Sequence, residues 1–508
     1  MAEHTVNNKR MAKNTLFLYV RMIIVMLANL YVVRALLDIL GVVDYGIYNV
    51  VSGVVSMFSF LNGTLSTSSQ RYFSISLAEG NLSKLQKQFR LNISIFLLFI
   101  LIVIIIAETI GLWYVNNKMT IPEERMFAAN LIYQFAIISF AISLFSVPYN
   151  ALIIAYEQMK TFAYIGLVEA TAKVLIVVLV CFIDADKLVY YGIFMMVLTA
   201  ATTLFYYMFC RMNYKECSYK MYWNCQEASD VIGFSGWHFL GTTSVVIRSQ
   251  GINLLINAFF SPAVNAARAI AVQTESLVNQ LAGNFFVAAK PQIYKTYASH
   301  QMTEFVGLIF RTSKICVFLV SFLAIPVIVN AGFIFSLWLK VVPDYTISFA
   351  QLVLFNTIID STSNPTICAA LATKRIKLFY LVTGNLYILC LPFSYIALSM
   401  GYDARVTMIV SIVISLITAI ARAFILERLF AFPLKKYLLL FSKLLLTSIF
   451  ILCITFYVSK LFTLGILVVV MTGFVSVVLH LALYYFFVLD FSEKRLFLNI
   501  FFKLLIRK

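Results

Sequence analysis

Unbroken apolar runs of about twenty residues recur along the whole chain. They fall at 15–37, 46–69, 91–114, 128–149, 164–183, 188–209, 231–257, 262–288, 307–330, 346–372, 378–400, 404–426, 438–460 and 464–488. A run of this length matches the ~20 residues with which an α-helix crosses a hydrocarbon core. Of the 508 residues 62% are hydrophobic and 12% charged, against about 25% charged in soluble domains. In lipid every backbone polar group must be satisfied internally, which leaves helices or a closed barrel. Barrel strands alternate over ~10-residue segments; these runs do not. The expected fold class is an all-α polytopic membrane protein with about 14 transmembrane helices.

The distribution of positive charge tests that count. With the N-terminus inside, 28 of the 39 Lys and Arg residues fall in cytoplasmic segments and their flanks. The outer connections hold seven: Arg34, Lys118, Arg125, Lys187, Lys340, Arg405 and Lys460. A missed helix would move every later connection to the other side and destroy the split. Both termini are therefore expected in the cytoplasm. The net charge of +17 reads as a topology signal and an attraction to an anionic leaflet, not as a nucleic-acid footprint. Lys9, Arg10 and Lys13 precede a first run too long for a cleaved signal core.

An internal repeat organises the runs. Pro148 and Pro365 stand 217 residues apart near the end of corresponding helices, and the same offset pairs Ala155 with Ala372, Lys160 with Lys377, Phe162 with Phe379 and Arg211 with Arg428. Repeated bundles are a common way to build transporters. The expected organisation is a cytoplasmic N-terminus at 1–14, a six-helix lobe at 15–211, a linker at 212–231, a second, parallel six-helix lobe at 232–428, two accessory C-terminal helices at 429–488 and a basic tail at 489–508.

A charge at mid-bilayer costs on the order of 3 kcal/mol or more and should face protein or a watery cavity. Beyond the basic residues assigned to connections and their flanks, four remain inside the spans: Arg21, Lys173, Arg248 and Arg268. In the eighth run Asn265, Arg268, Glu275 and Asn279 share one helical stripe, and in the seventh Gly241, Ser244, Arg248 and Gly251 share another. The functional reading is a cationic cavity for an anionic group, because a guanidinium fork suits phosphate. The alternative is an internal Arg268–Glu275 ion pair, which leaves Arg248 and Arg21 with no acid nearby in sequence. Glu169 and Lys173, at i and i+4, form a candidate pair. Asp360, flanked by Asn356 and Asn364 just before Pro365, is a candidate for cation coupling or for stabilising a bend. No catalytic motif, metal-ligand cluster or cofactor signature is expected, and the eight cysteines fit no metal or redox spacing.

The segment Asn14-Thr-Leu-Phe-Leu-Tyr-Val-Arg21, with Arg34 and Leu40-Gly41-Val-Val-Asp44-Tyr45-Gly46-Ile47-Tyr48, resembles the polysaccharide and O-antigen flippases of the multidrug/oligosaccharidyl-lipid/polysaccharide exporter superfamily. The resemblance implies a flippase of the bacterial inner membrane that moves an undecaprenyl-diphosphate-linked oligosaccharide to the outer leaflet by alternating access, for surface polysaccharide biosynthesis. It implies Arg21, Arg248 and Arg268 as cavity cations; on the stripe reading, Asn265 and Asn279 would meet sugar hydroxyls. Implied partners are the lipid-linked oligosaccharide, membrane lipid, and a polysaccharide polymerase with glycosyltransferases. The runner-up is a cation-coupled multidrug antiporter of the same superfamily, which would favour acidic cavity residues.

Overall fold

A computed structural model describes the backbone of residues 2–494 apart from 57, 118–120, 219, 261, 340–341, 462–464 and 492. The basic segment 495–508 lies outside the described residues. Among the described residues there are helices and connections but no strands. Among the described residues ten helices are long and apolar enough to cross a membrane. The helices grown from the seventh and eighth runs are not among the ten, because their polar faces lower the mean hydropathy.

The helices are α1 (Ala2–Ser56), α2 (Ser59–Ala78), α3 (Leu82–Ile106), which continues through a π-turn at Ala107–Gly111 into α4 (Leu112–Asn117), α5 (Met126–Ala155), α6 (Met159–Cys181), α7 (Lys187–Asn213), α8 (Cys225–Phe259) and α9 (Pro262–Ala298). They are followed by α10 (Met302–Val329), α11 (Ala331–Trp338), α12 (Thr346–Asp360), α13 (Ser363–Ala372), α14 (Ile376–Ser399), α15 (Val406–Phe430), α16 (Leu434–Ser459) and α17 (Gly465–Leu483). Two breaks have local causes. Gly41 (φ 73°, ψ 171°) interrupts α1 in a backbone region that side chains rarely enter. The run 346–372, expected as one helix, is split into α12 and α13 at Ser361 and Thr362. The ring of Pro365 clashes with a carbonyl four residues back, which is that of Ser361.

The chain forms two compact units. The first comprises the residues up to Phe239 together with Val287–His300; the second comprises Leu240–Phe286 and the residues from Gln301 onward. In the first unit α5 packs on α7 and α2, and α1 packs on α6. Its core gathers Val51, Ile132, Tyr133 and Leu144. In the second unit α14 and α12 pack on α15, and α10 packs on α12 and α16. Its cores gather Ile256, Ala271, Phe349 and Cys390 and Val317, Ala324, Leu354 and Leu444.

The offset of 217 is present in the backbone. Helices α5 and α13 end 217 residues apart, α6 and α14 begin 217 apart, and α7 and α15 end 217 apart. The left-handed residues between the first two pairs, Glu157 (φ 60°) and Lys374 (φ 63°), obey the same spacing. Much of the hydroxyl content inside these helices is locally satisfied. Thr312, Thr357, Thr383, Thr418 and Thr455 each donate to the carbonyl four residues back. Such residues therefore need no external partner.

Candidate functional site

The second unit draws its polar residues from α8, α9, α12, α14 and α15. The stripe on α8 packs through small residues, as membrane helices do where backbones approach closely. A Cβ at Gly241 would meet the Tyr380 ring of α14 at 1.9 Å. Two turns further along that face stands Arg248. Its guanidinium lies over the Tyr387 ring, 4.5 Å from the centroid. Its Nη1 donates to Ser415 Oγ at 3.2 Å, and its Nη2 lies 3.6 Å from Asp360 Oδ2. The same carboxylate oxygen accepts from Asn356 Nδ2 at 3.2 Å and Ser415 Oγ at 3.1 Å.

Sequence spacing left Arg248 without an acidic partner, and this is corrected: the partner is Asp360, 112 residues away, delivered where α12 breaks. The Arg268–Glu275 ion pair is also corrected. The Arg268 fork donates instead to Asn253 Oδ1 and to the Ser249 carbonyl, the latter at 3.0 Å. Its Nε is buried and finds no acceptor. Glu275 stands beside Thr357 of α12. Arg248, Arg268, Glu275 and Asn356 line one cavity of about 60 Å³.

The other sequence candidates are placed elsewhere. Asn265 is half-buried on α9, its Oδ1 buried without a hydrogen-bond partner, and Asn279 is exposed. Neither lines that cavity. Arg21 belongs to the first unit and rests on α6, 4.3 Å from the centroid of the Phe162 ring. It fits there because residue 166 is glycine: a Cβ would fall 2.0 Å from the Arg21 Nε. Glu169 and Lys173 pair along α6 at 2.7 Å.

Sequence reasoning assigned Arg422 to the cytoplasmic flank of a helix and so missed it. It is fully buried and donates to Ser363 Oγ and to the Tyr387 hydroxyl. The available signal was its place in an apolar helix, seven residues after Ser415 and thus on the same face. Tyr387 is held between two arginines, its ring under Arg248 and its hydroxyl on Arg422. Among the described residues no group of His, Cys, Asp and Glu is arranged to hold a metal ion.

This arrangement of helices is the fold of multidrug and toxin extrusion (MATE) transporters. An outward-facing multidrug resistance MATE family transporter of the MOP superfamily has a TM-score of 0.70 at 13% identity, covering 85% of this chain and 97% of its own. A MOP superfamily transporter from Pyrococcus furiosus, described as having a binding pocket of reverse polarity that suggests a different function, has a TM-score of 0.69 at 12% identity, covering 83% of this chain and 95% of its own. The Vibrio cholerae MATE transporter VcmN in its bent form has a TM-score of 0.64 at 13% identity, covering 88% and 99%. No protein-family model and no curated protein sequence matches the chain.

Proposed function

We propose that this chain is an alternating-access membrane transporter whose cargo is a lipid-linked oligosaccharide carrying a diphosphate, moved from the cytoplasmic to the outer leaflet. The observation that carries this reading is the charge balance of the second unit. Arg248, Arg268 and Arg422 stand with two carboxylates, Asp360 and Glu275. Arg268 lines the cavity and donates only to neutral oxygens, so its charge remains available to an anion; Arg422, fully buried on Ser363 and Tyr387, adds positive charge without lining the cavity. A guanidinium fork matches a phosphate edge with two parallel bonds. A cavity of about 60 Å³ holds a few water molecules. A diphosphate therefore enters only when the walls part, which alternating access supplies.

On this reading α8 and α9, at 35 and 37 residues, also cross the membrane, since ~20 helical residues suffice. Their polar faces are what a cargo path requires. Together with two shorter crossings, one at α2 and one at α12–α13, they bring the count to fourteen. The protein sits in the bacterial inner membrane with both termini cytoplasmic, beside the glycosyltransferases and polymerase that make and consume the cargo.

The second reading is a cation-coupled multidrug antiporter. It is favoured by the names of the MATE neighbours and by Asp360 and Glu275 near the cavity. Proteoliposomes separate the two. Flipping of a fluorescent polyprenyl-diphosphate glycan should fall at least tenfold in Arg268→Gln, with unchanged reconstitution. Efflux of a cationic dye that requires Asp360, with no glycan flipping by the parent protein, would establish the antiporter instead.

A further inference from the structure

The first unit contains a cavity of about 300 Å³ walled by α1, α5 and α7, at the lower end of the roughly 300–1,000 Å³ typical of small-molecule sites. None of its twelve lining residues is charged. A cation placed there meets no carboxylate, and a phosphate meets no guanidinium or ammonium. What the walls offer is hydroxyl oxygen beside aromatic ring: Ser52, Ser139, Ser143 and Thr199 with Phe135 and Phe140. Ser143 and Thr199 already donate their protons to the carbonyls of Phe140 (2.8 Å) and Met195 (2.9 Å). Their lone pairs are left as acceptors. An acceptor-rich, uncharged pocket with ring faces suits a molecule that donates hydroxyl hydrogens from one side and presents C–H groups from the other.

The three walling helices are tied together near one end by one residue. Arg125, at the start of α5, donates from Nε to Asp44 Oδ1 at 2.8 Å and from Nη1 to Asp186 Oδ2 at 2.8 Å. Asp44 is on α1 and Asp186 caps α7, accepting from the Leu188 amide at 3.1 Å. The bracket therefore joins the same three helices that wall the cavity. Its first lining residues, Tyr48, Ile132 and Gly192, follow Asp44, Arg125 and Asp186 by four, seven and six residues, or roughly 6–11 Å along each helix. Gly41 allows α1 to turn just before Asp44. The Leu40-Gly41-x-x-Asp44 segment thus places a carboxylate for Arg125.

We infer that this cavity is a binding site for an uncharged, hydroxyl-bearing ring, of the neutral glycoside class, bracketed at one end by Arg125. The inference concerns binding alone and stands whether the transported cargo is a glycolipid or a drug. It is tested on the full chain in nanodiscs with a photoactivatable neutral alkyl β-glucoside. Saturable labelling is expected within residues 132–143 and 192–199, competed by octyl β-glucoside and not by octanol. Ala136→Trp, which fills the cavity, should cut labelling at least tenfold. The paired Ser139→Ala and Ser143→Ala variant, which leaves the packing intact, should cut it at least threefold. Equal competition by octanol would make the site a hydrocarbon-chain groove and overturn the inference. So would labelling unchanged in the paired variant, or equal labelling by a cationic or anionic analogue.

Discussion

The arginines at the second unit's polar site keep different company from three cations of the first unit. In the first unit Arg125 is enclosed by two carboxylates, Lys173 is paired with Glu169, and Arg21 lies against a ring and a bare glycine. At the site of the second unit Arg248 faces a carboxylate, while Arg268 and Arg422 rest on amide, carbonyl and hydroxyl oxygens. A guanidinium neutralised by acids is a fastener. One held by neutral acceptors keeps its charge and is a candidate binding group. Partner chemistry, more than burial, separates the two roles, because arginines of both kinds are largely shielded.

The largest expected effect comes from removing the acid on which Arg248 depends. Asp360→Ala leaves the part-buried Arg248 guanidinium without its carboxylate; breaking a fully buried pair from one side costs about 3–5 kcal/mol, which is the upper bound here. Thermal unfolding of the detergent-solubilised protein should show a marked fall in Tm. The double replacement Arg248→Met with Asp360→Leu should recover most of that loss, since exchanging a buried pair for apolar residues is often near neutral. An Asp360→Ala protein as stable as the parent would make Arg248 a free cation and erase its difference from Arg268.

Arg268→Gln is the next step down in stability. An unmade hydrogen bond to a buried neutral acceptor costs about 1–3 kcal/mol, so this variant should unfold nearer the parent than Asp360→Ala does. Transport should respond in the other direction, with Arg268→Gln among the least active variants. Equal losses of stability in both variants would place Arg268 among the fasteners.

How far these roles were readable in advance depended on sequence distance. The fold class followed from the apolar runs alone, because lipid leaves so few solutions. The offset of 217 was readable because residue identities recur at it, Pro148 with Pro365 and Lys160 with Lys377 among them, and the left-handed residues Glu157 and Lys374 share it in the backbone. Helical spacing grouped Arg268 with Glu275 on α9, and both line the cavity, whereas Asn265 and Asn279 of the same stripe do not. The partner of Arg248 was not readable, because Asp360 arrives from another helix at a break set by Pro365. Arg422 escaped for a different reason: the charge rule that orients membrane proteins counts arginines near helix ends as cytoplasmic, and a fully buried one obeys another logic. The Arg268–Glu275 pairing failed because two side chains seven residues apart on one helix are about two turns, or roughly 10 Å, apart. Asn253 and Ser249 on α8 were nearer.

The smallest effects test the first unit. Replacing Arg21 with Met keeps the packing on Phe162 and Gly166 but removes the cation–π contact, which contributes about 0.5–2 kcal/mol. A modest fall in Tm with transport unchanged is expected. A collapse of glycan flipping at normal stability would move Arg21 into the company of Arg268, as the sequence resemblance implies. Below this lies the Glu169–Lys173 pair. A double-mutant cycle with Gln at both positions should return a coupling of about 0.3–0.5 kcal/mol, the size usual for an i, i+4 pair on a helix. The pair is about one-third exposed, so a coupling that grows several-fold would mean that its surroundings are drier than that exposure implies. Such a pair would then stand with Arg248 and Asp360 as a shielded fastener, not a surface one.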